Sequence, residues 1–215
     1  MLVAARTGAW AKSGSPTPTS YGGLRFTAEA ANSSVQLTAV GSAPTVTLVK
    51  SFDGVNWEDY AVGEVIDLPS IGDFVYLAAG EGGNETFCSS ISNYHKFVIN
   101  GLVLASGDIT SLRRFDIVQT PLAANCYRNM FQGCTGLTSA PELPATTLAT
   151  RCHIKMFYGC TQLSLIKVHF TAWGRETQSW VSNVAPTGTF YKPSALSEEF
   201  GVSKIPTGWT VVNID

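Results

Sequence analysis

The stretch from Leu122 to Leu163 contains one unit twice. Cys126, Met130, Phe131, Gly133, Cys134, Thr135 and Leu137 recur as Cys152, Met156, Phe157, Gly159, Cys160, Thr161 and Leu163, every pair offset by 26 (152 − 126, 160 − 134, 163 − 137). This period constrains the fold more than any other feature, because so short a unit cannot bury its own apolar side and must stack on a neighbour. Ala123 to Phe131 and Ala149 to Phe157 are predicted as short helices that bury Cys, Met and Phe. The Gly-Cys-Thr that follows ends each helix, and Leu137 to Ala140 makes a short strand. Ile109, Leu112, Ile117 and Leu122 read as a degenerate opening unit. Ile166, Val168, Phe170 and Trp173 supply apolar anchors without the repeat spacing, as a cap would.

Ahead of the repeat the apolar period is two. Leu24, Phe26 and Ala28 alternate with polar neighbours, as do Val35, Leu37 and Ala39, then Val46 and Leu48, Phe74 and Tyr76, Phe97 and Ile99. These are half-buried strands, seven or eight in all, parted by breakers such as Gly41 to Pro44 and Pro69 to Gly72. Asp53-Gly54 predicts a tight primed hairpin turn, with Trp57 covering the core. Residues 1–23 hold Gly, Ser, Thr, Pro and Ala without period, too little apolar surface to order themselves, and are expected to be an assembly arm. The expected fold is a β-rich α+β chain: arm 1–23, an antiparallel β-sandwich-like domain over 24–105, and a short (β/α) repeat solenoid with a C-terminal cap over 106–215.

The residues CYRNMFQGCTGLTSAPELPATTLA and RCHIKMFYGCTQL resemble the leucine-rich repeats of the BspA-like surface-protein family of gut Bacteroidetes and their phages. The ending WVSNVAPTGTFYKPSAL with IPTGWTVVN resembles the close of such arrays, and SFDGVNWEDY through FVINGLVLASGDITSL resembles the β module that precedes them. The resemblance covers most of the chain from about Leu24. It implies surface-exposed binding or adhesion, with host glycans or proteins as partners, and not a reaction. With only two clear repeats, the long concave face of larger members is largely missing.

With 14 basic against 16 acidic residues and no basic cluster beyond Arg113-Arg114, nucleic acid is not expected as a partner. No apolar run approaches the ~20 residues of a membrane span. The start MLVAARTGAWAKSGSPTPTS lacks the ~7-residue apolar core of a secretory signal, so either a signal has been removed or the protein leaves the cell another way, for instance in a phage particle released by lysis, the option that the initial Met favours. In that setting residues 1–23 would join capsid or tail proteins or form a homo-oligomer. A bacterial cell-surface adhesin is the alternative.

Candidate chemistry is sparse. The repeat cysteines are spaced by eight, unlike a zinc knuckle, and read as a buried, reduced ladder; Cys88 stands alone. His95, His153 and His169 share no motif, and His153 replaces Tyr127 at one repeat position, which suggests an exposed site. No nucleophile-elbow, zincin or phosphate-loop pattern occurs, so neither catalysis nor a cofactor or metal is expected. Ser51 to Trp57 faintly resembles a sialidase Asp-box, but it occurs once and its spacing departs from that motif. The remaining candidates are rings able to stack on sugars or proteins: Tyr127, His153 and Tyr158 on the helical side, and Trp173, Trp180 and Tyr191 in the cap.

Overall fold

The computed structural model describes residues 22–116 and 121–215. The alternating stretches form nine strands: β1 (Arg25–Ala28), β2 (Ser33–Val40), β3 (Leu48–Ser51), β4 (Glu58–Tyr60), β5 (Val65–Leu68), β6 (Phe74–Ala79), β7 (Cys88–Ser90), β8 (Asn93–Asn100) and β9 (Val103–Ser106). Four more follow: β10 (Leu137–Ser139), β11 (Leu165–Lys167), β12 (Thr189–Lys192) and β13 (Thr210–Asn213). They make two sheets, one of nine strands in the order β13-β12-β11-β10-β9-β1-β6-β3-β4 and one of four, β5-β2-β8-β7. Pairing is antiparallel from β4 to β9 and parallel from β9 to β13, so the large sheet is mixed.

The sheets face each other across one apolar core. Phe26 of β1 meets Phe97 of β8 with ring centroids 4.9 Å apart. The column continues into the repeats, Phe97 stacking on Phe131 at 5.0 Å and Phe131 on Phe157 at 5.5 Å. All four rings are fully buried, and each stabilises the fold by about 1.5–3 kcal/mol relative to an exposed side chain.

The expected (β/α) solenoid is not what forms. Among the described residues there is no α-helix, only 3₁₀ turns at Ile109–Leu112 and Arg175–Thr177. The segments 123–134 and 149–160 are chains of tight turns whose backbone N–H groups alternate between two destinations. Those of Cys126, Arg128, Met130, Gln132 and Cys134 bond three residues back, to the carbonyls of Ala123, Asn125, Tyr127, Asn129 and Phe131. Those of Asn125, Tyr127, Asn129, Phe131 and Gly133 cross to the next copy, at the carbonyls of Thr150, Cys152, Ile154, Met156 and Tyr158, 2.8–3.1 Å away. A helix would keep all of these bonds to itself. This backbone also needs a left-handed residue at every fourth position: φ is +59° at Asn125, +59° at Asn129 and +78° at Gly133, then +59° at Arg151, +53° at Lys155 and +78° at Gly159. Left-handed residues at that spacing exclude an α-helix.

The period hid a third coil. His153, Lys155, Phe157 and Gly159 donate to Glu176, Gln178, Trp180 and Ser182, and Ser179 and Asn183 are left-handed at +53° and +59°. The offset is 24 here (179 − 155, 183 − 159), which breaks the period of 26. The first coil has a partner too. Phe87 and Phe97 donate to Cys126 and Met130, and Val103 donates to Gly136. One sheet is thus prolonged by parallel strands and the other by turns, and the core runs through residues 105–106 without a break.

The loop at Asp53-Gly54 also differs from expectation. β3 and β4 do pair as a hairpin, but residues 52–57 connect them and only Gly54 has positive φ, +76°. The Asp53 carboxylate organises this loop by accepting from the N–H groups of Val55 and Asn56 at 2.8 and 2.7 Å. Trp57 packs on Phe115 and Tyr76, not in the main core. The expected arm up to residue 21, and Ile117 of the expected opening unit, lie outside the described residues.

Candidate functional site

Stacking between coils decides which predicted contact residues reach the surface. Residue 127 lies over residue 153, and the Trp180 ring of the third coil, at the register of residue 156 (180 − 24), reaches over His153. Tyr127 and His153 stack at 6.1 Å and 22°, His153 and Trp180 at 6.3 Å and 14°. These three were expected at the surface and are instead buried, at 1%, 1% and 0% exposure. Tyr and His exchange at this position because either flat ring fills the same slot between coils, so the exchange signalled a core site. The His153 Nδ1 has no hydrogen-bond partner, and burial pushes the imidazole down to about 3.

The cysteines occupy the same interior. All five are free and buried. The Cys134 thiol donates to the Phe97 carbonyl at 3.1 Å and the Cys160 thiol to Phe131 at 3.0 Å, each reaching one rung back. Burial pushes the Cys134 thiol up to about 12, away from the nucleophilic thiolate. Among the described residues no group of three His, Cys, Asp or Glu side chains is arranged to hold a metal ion.

The other three rings do reach solvent. Tyr158 is 36% exposed at the edge of the second coil, with Lys155 Nζ 5.7 Å from its ring centre. Tyr191 projects from β12 on the side opposite buried Phe190, between Lys167 of β11 and Val212 of β13. Trp173 is half-buried against Phe170 and Trp180. Its Nε1–H donates to the Ser197 carbonyl at 2.8 Å, and Lys204 Nζ lies 5.4 Å from its ring centre.

The outer face of the parallel strands also carries a charged cluster. Glu142 Oε1 accepts from Lys167 Nζ at 2.7 Å and from His169 Nε2 at 2.8 Å. Burial alone would raise the Glu142 carboxyl, but these two partners outweigh it and hold the group below its ordinary value. Asp108 nearby is raised by burial even though it accepts from the Thr110 N–H and hydroxyl, both at 2.7 Å. His169 is therefore one member of a surface ion-pair group, while His95 is enclosed beside Phe87.

One functional-looking residue was missed. Lys192 is buried, and its ammonium donates to the Leu196 carbonyl at 2.7 Å and to Asn213 Oδ1 at 3.2 Å, tying the last strands to the loop between them. Its signal was parity, since it shares the inward register of Phe190. Among the shallow hollows at the surface, one of about 300 Å³ is lined by Phe52, Asp67, Asp73 and Phe74 at one end of the sandwich, where Asp73 already accepts the Ser70 N–H. Another lies beside Trp173, at the corner where strand gives way to turns. No family model, curated protein or solved structure matches this chain.

Proposed function

We propose that this protein is a non-enzymatic attachment module, carried on a phage particle as a fibre or decoration component, that holds a BspA-like repeat segment against a bacterial host surface. The observation that carries this reading is the division of its side chains. The thiols, His95 and His153 are buried where no substrate reaches them, while Tyr158 on the turns, Trp173 at the corner and Tyr191 on the outer sheet face reach solvent from a backbone held by hydrogen bonds. Rigid, flat side chains of this kind contribute contact area at small entropic cost. The duplicated CYRNMFQGCTGL and RCHIKMFYGCTQL units supply the family resemblance.

The test is binding of fluorescently labelled protein to intact Bacteroides cells, together with immunogold localisation. Saturable binding to cells, with label on phage particles, is the expected outcome. Label confined to the bacterial envelope would move the protein to the cell-surface alternative. No binding to any strain would overturn the attachment role.

A further inference from the structure

The hollow beside Trp173 has the composition of a sugar site. It encloses about 210 Å³ between the loop that leads into the second coil and the loop that leads into the third, and is lined by Thr146, Thr147, Phe170, Thr171, Trp173 and Glu176 among others. We propose that it binds one pyranose ring of a neutral glycan. This rests on the attachment reading above and gives that attachment a chemical class.

Two features support a built site over a chance dent. The Trp173 ring is fixed in place, because its N–H is held by the Ser197 carbonyl and its edge is packed on Phe170 and Trp180. An aromatic ring held in this way loses little entropy when a sugar packs against it, and Lys204 Nζ, 5.4 Å from the ring centre, adds a donor beside it. Around it stand three threonine hydroxyls, able to donate and accept, and the Glu176 carboxylate, an acceptor that forms no ion pair among the described residues. A neutral polyol offers the matching donors; an anion would meet Glu176.

At Gly174 a side-chain carbon would meet Glu176 Oε2, the free end of a flexible side chain that can swing aside. The backbone there is extended, with φ −160°, a conformation open to any residue.

The size also selects. Pockets for drug-sized ligands run ~300–1,000 Å³, and this one is smaller, fit for a single ring with its neighbours in solvent. One ring gives a weak site, with Kd on the order of 1 mM, and useful attachment then comes from several copies acting together.

The experiment uses the full chain and a panel of methyl pyranosides (gluco, manno, galacto and N-acetylglucosamine), read by saturation-transfer NMR and Trp fluorescence. At least one is expected to bind, with loss of about tenfold or more in Thr147→Arg, which places a long side chain at the hollow from an exposed position, and a smaller loss in Gly174→Ala, which makes the Glu176 carboxylate swing aside. Glu176→Gln should weaken binding by a smaller factor. Trp173→Ala removes a packed residue, so the other variants carry the test. Sugar binding unchanged in both Thr147→Arg and Gly174→Ala would overturn the site. No sugar bound by a protein that still binds cells would overturn the sugar proposal and leave attachment standing. Loss of both would remove the attachment reading as well.

Discussion

Acid should weaken this fold through His153, and the size of the effect follows from its burial. The ring lies between Tyr127 and Trp180, has no partner for Nδ1, and is held near 3 against an ordinary value of 6.5. Between these values the unfolded chain binds a proton that the folded chain refuses, so stability rises with pH across that window. The penalty is absent above about 6.5, grows as pH falls, and saturates near 3. Each pH unit inside the window is worth about 1.4 kcal/mol, so going from pH 6.5 to 4.5 should cost about 3 kcal/mol. Stopping at 4.5 limits the contribution of carboxylates such as Glu142, which is held below its ordinary value and titrates lower. His95 is also depressed by burial and adds a loss of the same sign. Urea denaturation at pH 7.5, 6.5, 5.5 and 4.5, run on wild type and on His153→Phe, isolates the His153 share. Phenylalanine fills the same slot without titrating, so its curve should be flatter by about 3 kcal/mol over the range. Parallel curves for the two proteins would refute the reasoning.

Three other outcomes follow from the stacked coils. Leu163→Ala, at a fully buried position, should lower the unfolding free energy by about 2–5 kcal/mol in the same urea assay. Gly133→Ala and Gly136→Ala should differ sharply: at Gly133 an added carbon meets open space and costs only the left-handed strain of about 1–2 kcal/mol, while at Gly136 it collides with the Gly101 carbonyl and the loss of midpoint should be much larger. Native protein should react with a thiol reagent at the rate of global or local opening, orders of magnitude below the urea-unfolded chain, since all five thiols are buried; fast native labelling of the repeat cysteines would disprove their packing.

Much of the chain was legible, and where it was not the reason is physical. Strands alternate every two residues, and that signal was plain in Phe26, Leu37 and Phe97. The turn segments bury residues 126, 127, 130, 131 and 134, a spacing of four that imitates a helix of 3.6 over so short a run. The distinguishing mark was the left-handed series Asn125, Asn129, Gly133, which Asn and Gly announce. The second copy conceals it behind Arg151 and Lys155. Contact residues were harder to read, because the same ring types pack the interior at Tyr127 and Trp180 and face solvent at Tyr158. Only the neighbouring coil decides between the two, and the neighbour lies about 26 residues away in sequence.

Gly136 marks the seam where the first coil meets the sandwich, and Gln162 takes its place one copy later. The seam needs a residue without a side chain, whereas the turns beyond it are joined by main-chain bonds and ask chiefly for a left-handed residue at every fourth position. Length is therefore a free variable of this architecture. A duplicated block inserted after the first coil would meet the same ladder on both sides and carry the Trp173 corner outward by one strand spacing, about 4.8 Å. A lineage could thus lengthen the molecule rung by rung through gene duplication alone.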